Sequence, residues 1–488
     1  MTLAGRLLAI GLFGVGAAFL AGNLCAETGA AKKEAVLAQG QELFTREWQA
    51  ADKRSHKGDG LGPLFNGASC AACHNLGGKG GGGPNNNNVT LVSAVLMAGP
   101  PKSGKDPTPR QPDRATLAEI HPSLRTANSF TLHRFATEKV FEVWKNSLLL
   151  RASELDAEGT AVSPSEPGKT TTPNRSLKIT RQVGNWTIQL ATAERNTPAI
   201  FGSGLIDRIP EKVLEETAAA QARAAKQNEK GVGDIPVSGR VARLKDGRVG
   251  RFGWKAQVAT LREFALQACA NEIGLEVPGF SQPALPWKPG YKAPGLDMTA
   301  DECDSLVAFV ASLDAPQQRR PESEQQKKDI DAGQKLFASV GCAACHQQKL
   351  GDVDGIFSDL LLHDMGKNLS DDGEYGTIVP GDGPSDQVEP LPTLTLTDPN
   401  AINNVAGVKA KTPKFGAGQQ EWRTPPLWGV RDSAPYMHNG AAVTIREAIA
   451  MHRGEAKAAA NAFAALKWEE TVQVEQFLNS LAAPAKTR

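Results

Sequence analysis

Long apolar stretches are scarce in this chain of 488 residues. The run from Leu7 to Leu20 is apolar and small, and no later segment is long and apolar enough to span a bilayer. An excess of one charge is missing as well. Lys and Arg number 54 against 53 Asp and Glu, so the net charge of +1 gives no whole-chain attraction for nucleic acid or an anionic membrane. Cysteine, histidine and methionine are few, at 7, 8 and 6. Chemistry that depends on them must therefore rest on a small set of positions. What is plentiful is glycine, 49, and proline, 31, which predict much loop, while a hydrophobic content of 40% permits real cores. The length predicts two or three domains.

Four of the cysteines fall in one repeated pattern, Cys70-Ala71-Ala72-Cys73-His74 and Cys342-Ala343-Ala344-Cys345-His346. C-x-x-C-H is the signature of covalent haem attachment: two thiols add across the porphyrin vinyl groups and the adjoining imidazole reaches the iron. A single copy also fits a thioredoxin-like redox pair, but two identical copies, each with its histidine, point to two covalently bound haem c groups. His74 and His346 are then the proximal ligands. A structural zinc site fits poorly, because the paired cysteines lie in separate domains.

The N-terminus reads as an export signal. Arg6 supplies a positive start, Leu7 to Leu20 the apolar region, and Leu24-Cys25-Ala26 a cleavage site before the charged segment at Glu27. A retained anchor and a lipoprotein cysteine at Cys25 are the alternatives. Residues 1–26 are thus expected to be a signal peptide and the protein to be periplasmic, where bacterial c-type attachment takes place. Cys269 and Cys303 remain, as a disulfide or as two buried thiols.

An internal repeat gives the domain plan. Gly40-Gln41-Glu42-Leu43-Phe44 precedes the first motif and Gly333-Gln334-Lys335-Leu336-Phe337 the second. Phe309, Leu313 and Pro316 share the spacing of Phe477, Leu481 and Pro484, as two amphipathic closing helices. The expected fold is mainly α, with cytochrome c-like haem domains over 33–316 and 327–488 and a charged linker over 317–326. Loops and β-hairpins enlarge the first domain. Gly77 to Gly83 with the following asparagines reads as a mobile loop, and Ser103 to Asp113 and Glu158 to Pro173 as further loops. Ser129 to Asn146 reads as a strand and a helix. Leu177 to Ala191 and Val241 to Phe252 read as hairpins turning at Gly184-Asn185 and Asp246-Gly247. Glu211 to Lys230 reads as a solvated helix.

A sixth ligand for the second iron is expected from His452. Thr444-Ile445-Arg446-Glu447 is a capping box, and Ile445, Ala448, Ile449 and His452 fall on one face of the helix it starts. Met451, about 100° round that helix, is the runner-up.

Several longer stretches carry a resemblance. Arg423-Thr424-Pro425-Pro426-Leu427-Trp428-Gly429-Val430 and Ala434-Pro435-Tyr436-Met437-His438-Asn439-Gly440 resemble the C-terminal signature of bacterial di-haem cytochrome c peroxidases. Closer still is the di-haem oxidoreductase, thiol oxidoreductase-like family. Asp59-Gly60-Leu61-Gly62-Pro63-Leu64-Phe65-Asn66, Ser358-Asp359-Leu360-Leu361-Leu362-His363-Asp364-Met365-Gly366 and Met451-His452-Arg453-Gly454-Glu455-Ala456 resemble it. His452 stands where the peroxidases place a methionine ligand, which implies a more reducing second haem. The resemblance further implies that His438 contacts a haem edge or propionate and that Trp254 lies between the haems. It implies Glu272 as the carboxylate that moves a proton between peroxide oxygens. Asn196, with the carbonyls of Ser433 and Pro435, matches the ligands of an inter-domain calcium ion. One departure stands out. Val183 to Arg195 contains no histidine, whereas the peroxidases carry a removable ligand just before that asparagine. The first iron is then open, or His133, His121 or His56 closes it.

These resemblances imply a periplasmic di-haem oxidoreductase of the peroxidase kind. Peroxide would react at the His74 haem, and a small redox protein such as a cytochrome c would supply electrons through the His346 haem. A non-catalytic electron carrier and an oxidant of a partner protein are the alternatives. No nucleic-acid partner is expected, and nothing in the sequence specifies an oligomer.

Overall fold

Two glycines at equivalent places in the repeat show how the halves are closed. The computed structural model describes residues 30–98, 112–149, 152–155, 176–228, 236–371, 373–375 and 415–484. Gly40 lies in a helix over residues 30–45 and Gly333 in the helix Glu324–Ser339. A Cβ on Gly40 would stand 2.0 Å from the Ser305 carbonyl oxygen, and one on Gly333 would stand 1.9 Å from that of Gln473. Only a residue without a side chain permits backbones to cross so closely. The crossed partners are the helices Ala300–Ser312 and Trp468–Ser480, the pair expected to close the two halves.

The aromatic filling of this crossing repeats as well. Phe44 packs 5.4 Å from Phe309, and Phe337 packs 5.3 Å from Phe477. Each inner ring also reaches its motif histidine, at 6.5 Å for Phe44 and His74 and 6.3 Å for Phe337 and His346. Phe477 is 0% exposed and also meets Phe357 edge-on at 5.4 Å. Phe477→Ala is expected to cost about 3–5 kcal/mol of stability, read by chemical denaturation of the haem-loaded protein.

Helices dominate, with several strands among them. The two expected hairpins form, and one belongs to a larger sheet. Its strands are β1 (Val89–Ala98), β2 (Ser129–Leu132), β3 (Ala152–Leu155), β4 (Ser176–Val183) and β5 (Trp186–Arg195). They run antiparallel in the order β2-β1-β5-β4-β3. The β4–β5 turn is Gly184-Asn185, with Val183 paired to Trp186. Strand β1 was not expected, because the asparagines before it read as loop. It joins the hairpin to β2, and Val92, Phe130, Ile179, Ile188 and Leu190 bury one shared cluster. The second hairpin pairs Ala242–Arg243 with Val249–Gly250.

Three expectations change. Gly77 to Gly83 is not a loose loop: it folds back through hydrogen bonds from Asn75 and Leu76 to the Gly82 carbonyl. The Glu211–Asn228 helix is not solvated all round. It buries Leu214, and Gln221 donates to the Asp359 carboxylate at 2.7 Å and the Ala344 carbonyl at 3.0 Å, beside the second motif. The Glu324–Ser339 helix starts inside the stretch expected to be linker, and Gln318 and Arg319 both bond Ser480.

Cys269 and Cys303 are separate, buried thiols. No helix among the described residues is long and apolar enough to cross a membrane. The expected signal peptide lies outside the described residues, as do Glu158 to Pro173 and most of Ser103 to Asp113.

Candidate haem centres

In the second half, the motif Cys342–His346 opens onto a cavity of about 660 Å³. Cys342, Cys345 and His346 line it, and so do Ile445, Ala448, Ile449 and His452, the four residues expected on one helix face. The helix itself is shorter than its periodicity suggested. It ends at Ala450, and His452 sits just past the Met451 cap, its backbone N–H still bonded to Ile449 at 3.1 Å. Met451 does not line the cavity. His346 Nδ1 lies 3.0 Å from the Phe357 carbonyl oxygen, and His452 Nδ1 lies 2.7 Å from that of Ala448. A carbonyl at Nδ1 fixes the proton there and turns Nε2 into the available ligand. Burial lowers both rings, His346 to about 4, so each is neutral near pH 7.

Two orphaned polar atoms test whether this cavity suits a haem. Buried Arg251 Nε and His438 Nε2 have no hydrogen-bond partner, and both side chains line the cavity. Asp371 Oδ2 stands 3.4 Å from His438 Nε2, outside hydrogen-bond geometry. Buried donors without acceptors are costly, and propionate oxygens are the acceptors a haem carries. Two thiols at C-x-x-C spacing, two neutral imidazoles, apolar walls and the orphaned Arg251 N–H make a fitting set.

His438 stacks on Trp422, with ring centroids 3.6 Å apart at 15°. Lys255 Nζ lies 3.7 Å from the centroid of the same indole. Trp254 lines the cavity too, and its indole N–H donates to the Asn196 carbonyl at 2.8 Å. Asn196 is a junction of several segments. Its N–H donates to His438 O at 2.7 Å, and its side-chain amide donates to Gly83 O at 2.9 Å and Asn88 Oδ1 at 3.0 Å.

Beside Cys345 sits another buried histidine, one that lay within a resembling stretch without a role. His363 Nε2 lies 2.9 Å from Asp359 Oδ2 and Nδ1 lies 2.7 Å from Glu455 Oε2. Burial opposes its charge, yet the bonds to Asp359, Cys345 and Glu455 hold its pKa well above the ordinary value. Cys345, Asp359 and His363 bring possible ligand atoms within 4.8 Å of one another. The thiol belongs to the attachment motif and both ring nitrogens face carboxylates, so the trio reads as a held imidazolium.

The first motif forms a single turn, Cys70–Cys73, capped by Ser69 Oγ accepting from Ala72 N at 3.1 Å. The glycine loop supplies the carbonyl that orients its histidine: His74 Nδ1 lies 3.1 Å from Gly81 O. A Cβ on Gly81 would lie 1.7 Å from the Leu76 carbonyl oxygen, so this wrap needs glycine. The asparagines then dock on the other half. Asn85 Nδ2 donates to Gly440 O at 3.1 Å and Asn88 Nδ2 to Asn439 O at 2.9 Å. Burial lowers His74 to about 4.

Each of the three other histidines has a contact within the first half. His133 Nε2 is 2.9 Å from Asn271 O, His121 stacks on Phe130 at 4.1 Å, and His56 pairs with Glu302 at 2.7 Å. Near Cys73 the structure places a carboxylate. Burial raises the Cys73 thiol, and the charge on Glu272 raises it further. Glu272 lies in the last turn of the helix Leu261–Ile273, next to Asn271. Its Oε1 accepts from Tyr375 Oη at 2.6 Å and Asn271 Nδ2 at 2.7 Å, and its Oε2 accepts from Asn66 Nδ2 at 2.7 Å. Burial raises its pKa against these three donors. Tyr375 had no sequence signal, since a lone tyrosine after acidic residues carries no pattern. Asn66 lay within a resembling stretch without a role.

Comparisons with known proteins bear on the family of the chain. The family described as "Di-haem oxidoreductase, putative peroxidase" matches residues 186–412 and 403–481. The first motif lies upstream of both segments, while Trp254, Glu272, the second motif and His452 lie inside them. Hydrazine synthase subunit gamma of Kuenenia stuttgartiensis is 27% identical over 169 residues, 33% of this chain and 44% of that protein. The chain thus spans less than half of that relative's length in the match. Among solved structures, a xenon-pressurised hydrazine synthase from Kuenenia stuttgartiensis aligns at 18% identity with a TM-score of 0.30, covering 59% of this chain and 73% of that one. A MauG-like protein associated with microbial copper homeostasis aligns at 18% identity with a TM-score of 0.22, covering 37% and 53%. With the family model matching more than half of its length, the chain belongs to the di-haem oxidoreductase family, and it is a haem protein with a di-haem redox role.

Proposed function

We propose that the protein is an exported, periplasmic di-haem c-type oxidoreductase that reduces peroxide at the His74 haem. Electrons come from a small redox protein such as a cytochrome c and pass through the haem held by His346 and His452. The observation that carries this reading is the unequal furnishing of the two motifs. Two neutral imidazoles face one cavity in the second half, whereas in the first, among the described residues, the part-buried Glu272 carboxylate stands near Cys73 and the neighbouring His133 is turned to the Asn271 carbonyl.

Cys70 and Cys73 would anchor one haem with His74 as ligand, and Cys342 and Cys345 would anchor the other with His346 and His452. Each haem, when bound, supplies one-electron chemistry at iron, and the first also supplies a site for peroxide. Glu272 would accept a proton from hydrogen peroxide and return it to the departing oxygen, which leaves as water, a transfer that favours heterolytic cleavage. Asn66, Asn271 and Tyr375 hold the carboxylate in place for it. His438 and Arg251 offer donors to propionates. Trp254 offers an aromatic path between the centres, fixed by its bond to Asn196. Trp254→Phe is therefore expected to slow the peroxide-driven oxidation of the second haem in stopped-flow traces, with both ligand spectra unchanged.

A calcium ion at Asn196 belongs to the same reading. The amide nitrogen is turned to Gly83 and Asn88, which leaves Oδ1 as the atom for a cation, and Ser433 and Pro435 line the same cavity wall. Calcium calorimetry on chelator-treated protein checks it. Export is supported by Arg6 and the run Leu7 to Leu20.

The test is turnover of hydrogen peroxide by the reduced, haem-loaded protein with a donor cytochrome. Saturable turnover is expected, together with a high-spin ferric signal from the His74 haem. Rates no better than free haem, or two low-spin six-coordinate irons, would overturn the reading and leave an electron carrier.

A further inference from the structure

Tyr375 reaches the first site from the other half of the chain. It follows the second attachment motif in sequence, yet its hydroxyl donates to Glu272 at 2.6 Å, near Cys73 of the first motif. Its placement is over-determined. Arg195, at the end of β5 and 4% exposed, grips Asp371 with two hydrogen bonds of 2.8 and 2.7 Å and also donates to Gly373 O at 2.6 Å. Gly373 N donates back to Asp371 Oδ1 at 3.0 Å, and Glu374 N donates to Ser129 Oγ at 3.0 Å. Tyr375 then packs on Val89, Leu91 and Ala193, residues of the paired strands β1 and β5. A clamped backbone, an apolar seat and a short bond to a part-buried carboxylate are more than packing needs.

We propose that Tyr375 is a positioning residue of the first site, a phenol supplied by the second half that sets the proton affinity of Glu272. This rests on the reading of Glu272 as the proton acceptor there. Three donors on one carboxylate favour its ionised form, and the phenol is the shortest of them. Removing it leaves burial less opposed, so the Glu272 proton is held more tightly. The other charged or titratable groups around it are Cys73, which haem attachment would alkylate, His133 on the Asn271 carbonyl, and Arg134, whose backbone N–H bonds Asn66. None of them donates a hydrogen bond to the Glu272 carboxylate.

Cyanide association with the ferric, haem-loaded protein reads the carboxylate without any turnover, because hydrogen cyanide must give up a proton as it binds. Association should rise as Glu272 ionises, along one acid limb. In Tyr375→Phe that limb is expected to move up by about one to two pH units, the worth of one hydrogen bond to a charged group. Glu272→Gln should abolish the limb, and Tyr375→Phe should add nothing to it.

A gentler substitution guards against misfolding. Tyrosine occurs 3 times, at 291, 375 and 436. In a Tyr291→Phe, Tyr436→Phe background, 3-fluorotyrosine therefore enters at 375 alone, and its more acidic hydroxyl should move the limb down. A limb that stays put in both the Phe and fluorotyrosine proteins overturns the proposal, as does a limb that survives Glu272→Gln. Cyanide binding with the expected shifts but no peroxide turnover overturns the peroxidase reading and supports the role of Tyr375. No cyanide binding at any pH overturns both.

Discussion

Glu272→Gln is expected to lower peroxide turnover by about 10²–10⁴-fold, the usual worth of a positioned acid–base group. Glutamine keeps the shape and one acceptor oxygen but neither takes nor gives the proton. Loss should therefore fall on the chemical step, leaving haem attachment and the spectrum of the second haem unchanged. The wild-type protein should lose activity as pH falls through the Glu272 pKa. Burial raises that pKa above the ordinary value, so the acid limb should lie above that of a solvated glutamate. Glutamine turns an amide N–H₂ toward one of its former donors, Asn66, Asn271 or Tyr375. That costs some stability at the helix end, which denaturation of the same variant would separate from the catalytic loss. Turnover within a few-fold of wild type across the pH range would remove Glu272 from the reaction.

The sequence makes parts of this centre legible and hides others for physical reasons. C-x-x-C-H is readable because covalent attachment demands fixed spacing. The repeated glycine-phenylalanine helix is readable because each half must close in the same crossing, as the Gly40 and Gly333 contacts show. His452 is readable because helical periodicity put it with Ile445 and Ile449, although the helix stops two residues short of it. Tyr375 is hidden because nothing local marks it. Its seat is made by Arg195, 176 residues from Asp371, and its partner lies 103 residues away. The glycine and asparagine stretch misled for a related reason. Composition favours a mobile chain there, but the Gly81 carbonyl, and Asn85 and Asn88 on Gly440 and Asn439, tie it down through contacts that no window of sequence contains.

His452→Met should leave a protein that still carries both haems but has a more oxidising second centre. The side chain leaves from just past the cap of a short helix, where the Ala448 carbonyl bond at 2.7 Å orients the ring. A thioether from the same position makes no such bond and is a softer ligand that favours the ferrous state. The second potential should rise on the order of 0.1 V, inside the ~0.8 V span that axial ligands command. His452→Ala, with no ligand to offer, should convert that haem to high spin and make it bind cyanide. The pair separates ligation from packing: a structural role alone would lower stability in both variants while leaving the spin state low in each. A second haem that stays low-spin at an unchanged potential in both would show that its iron takes another ligand, and the asymmetry between the motifs would lose its basis. If instead the potentials move as expected, the second iron is the one closed by two imidazoles. The first haem is then left as the place where substrate can reach iron.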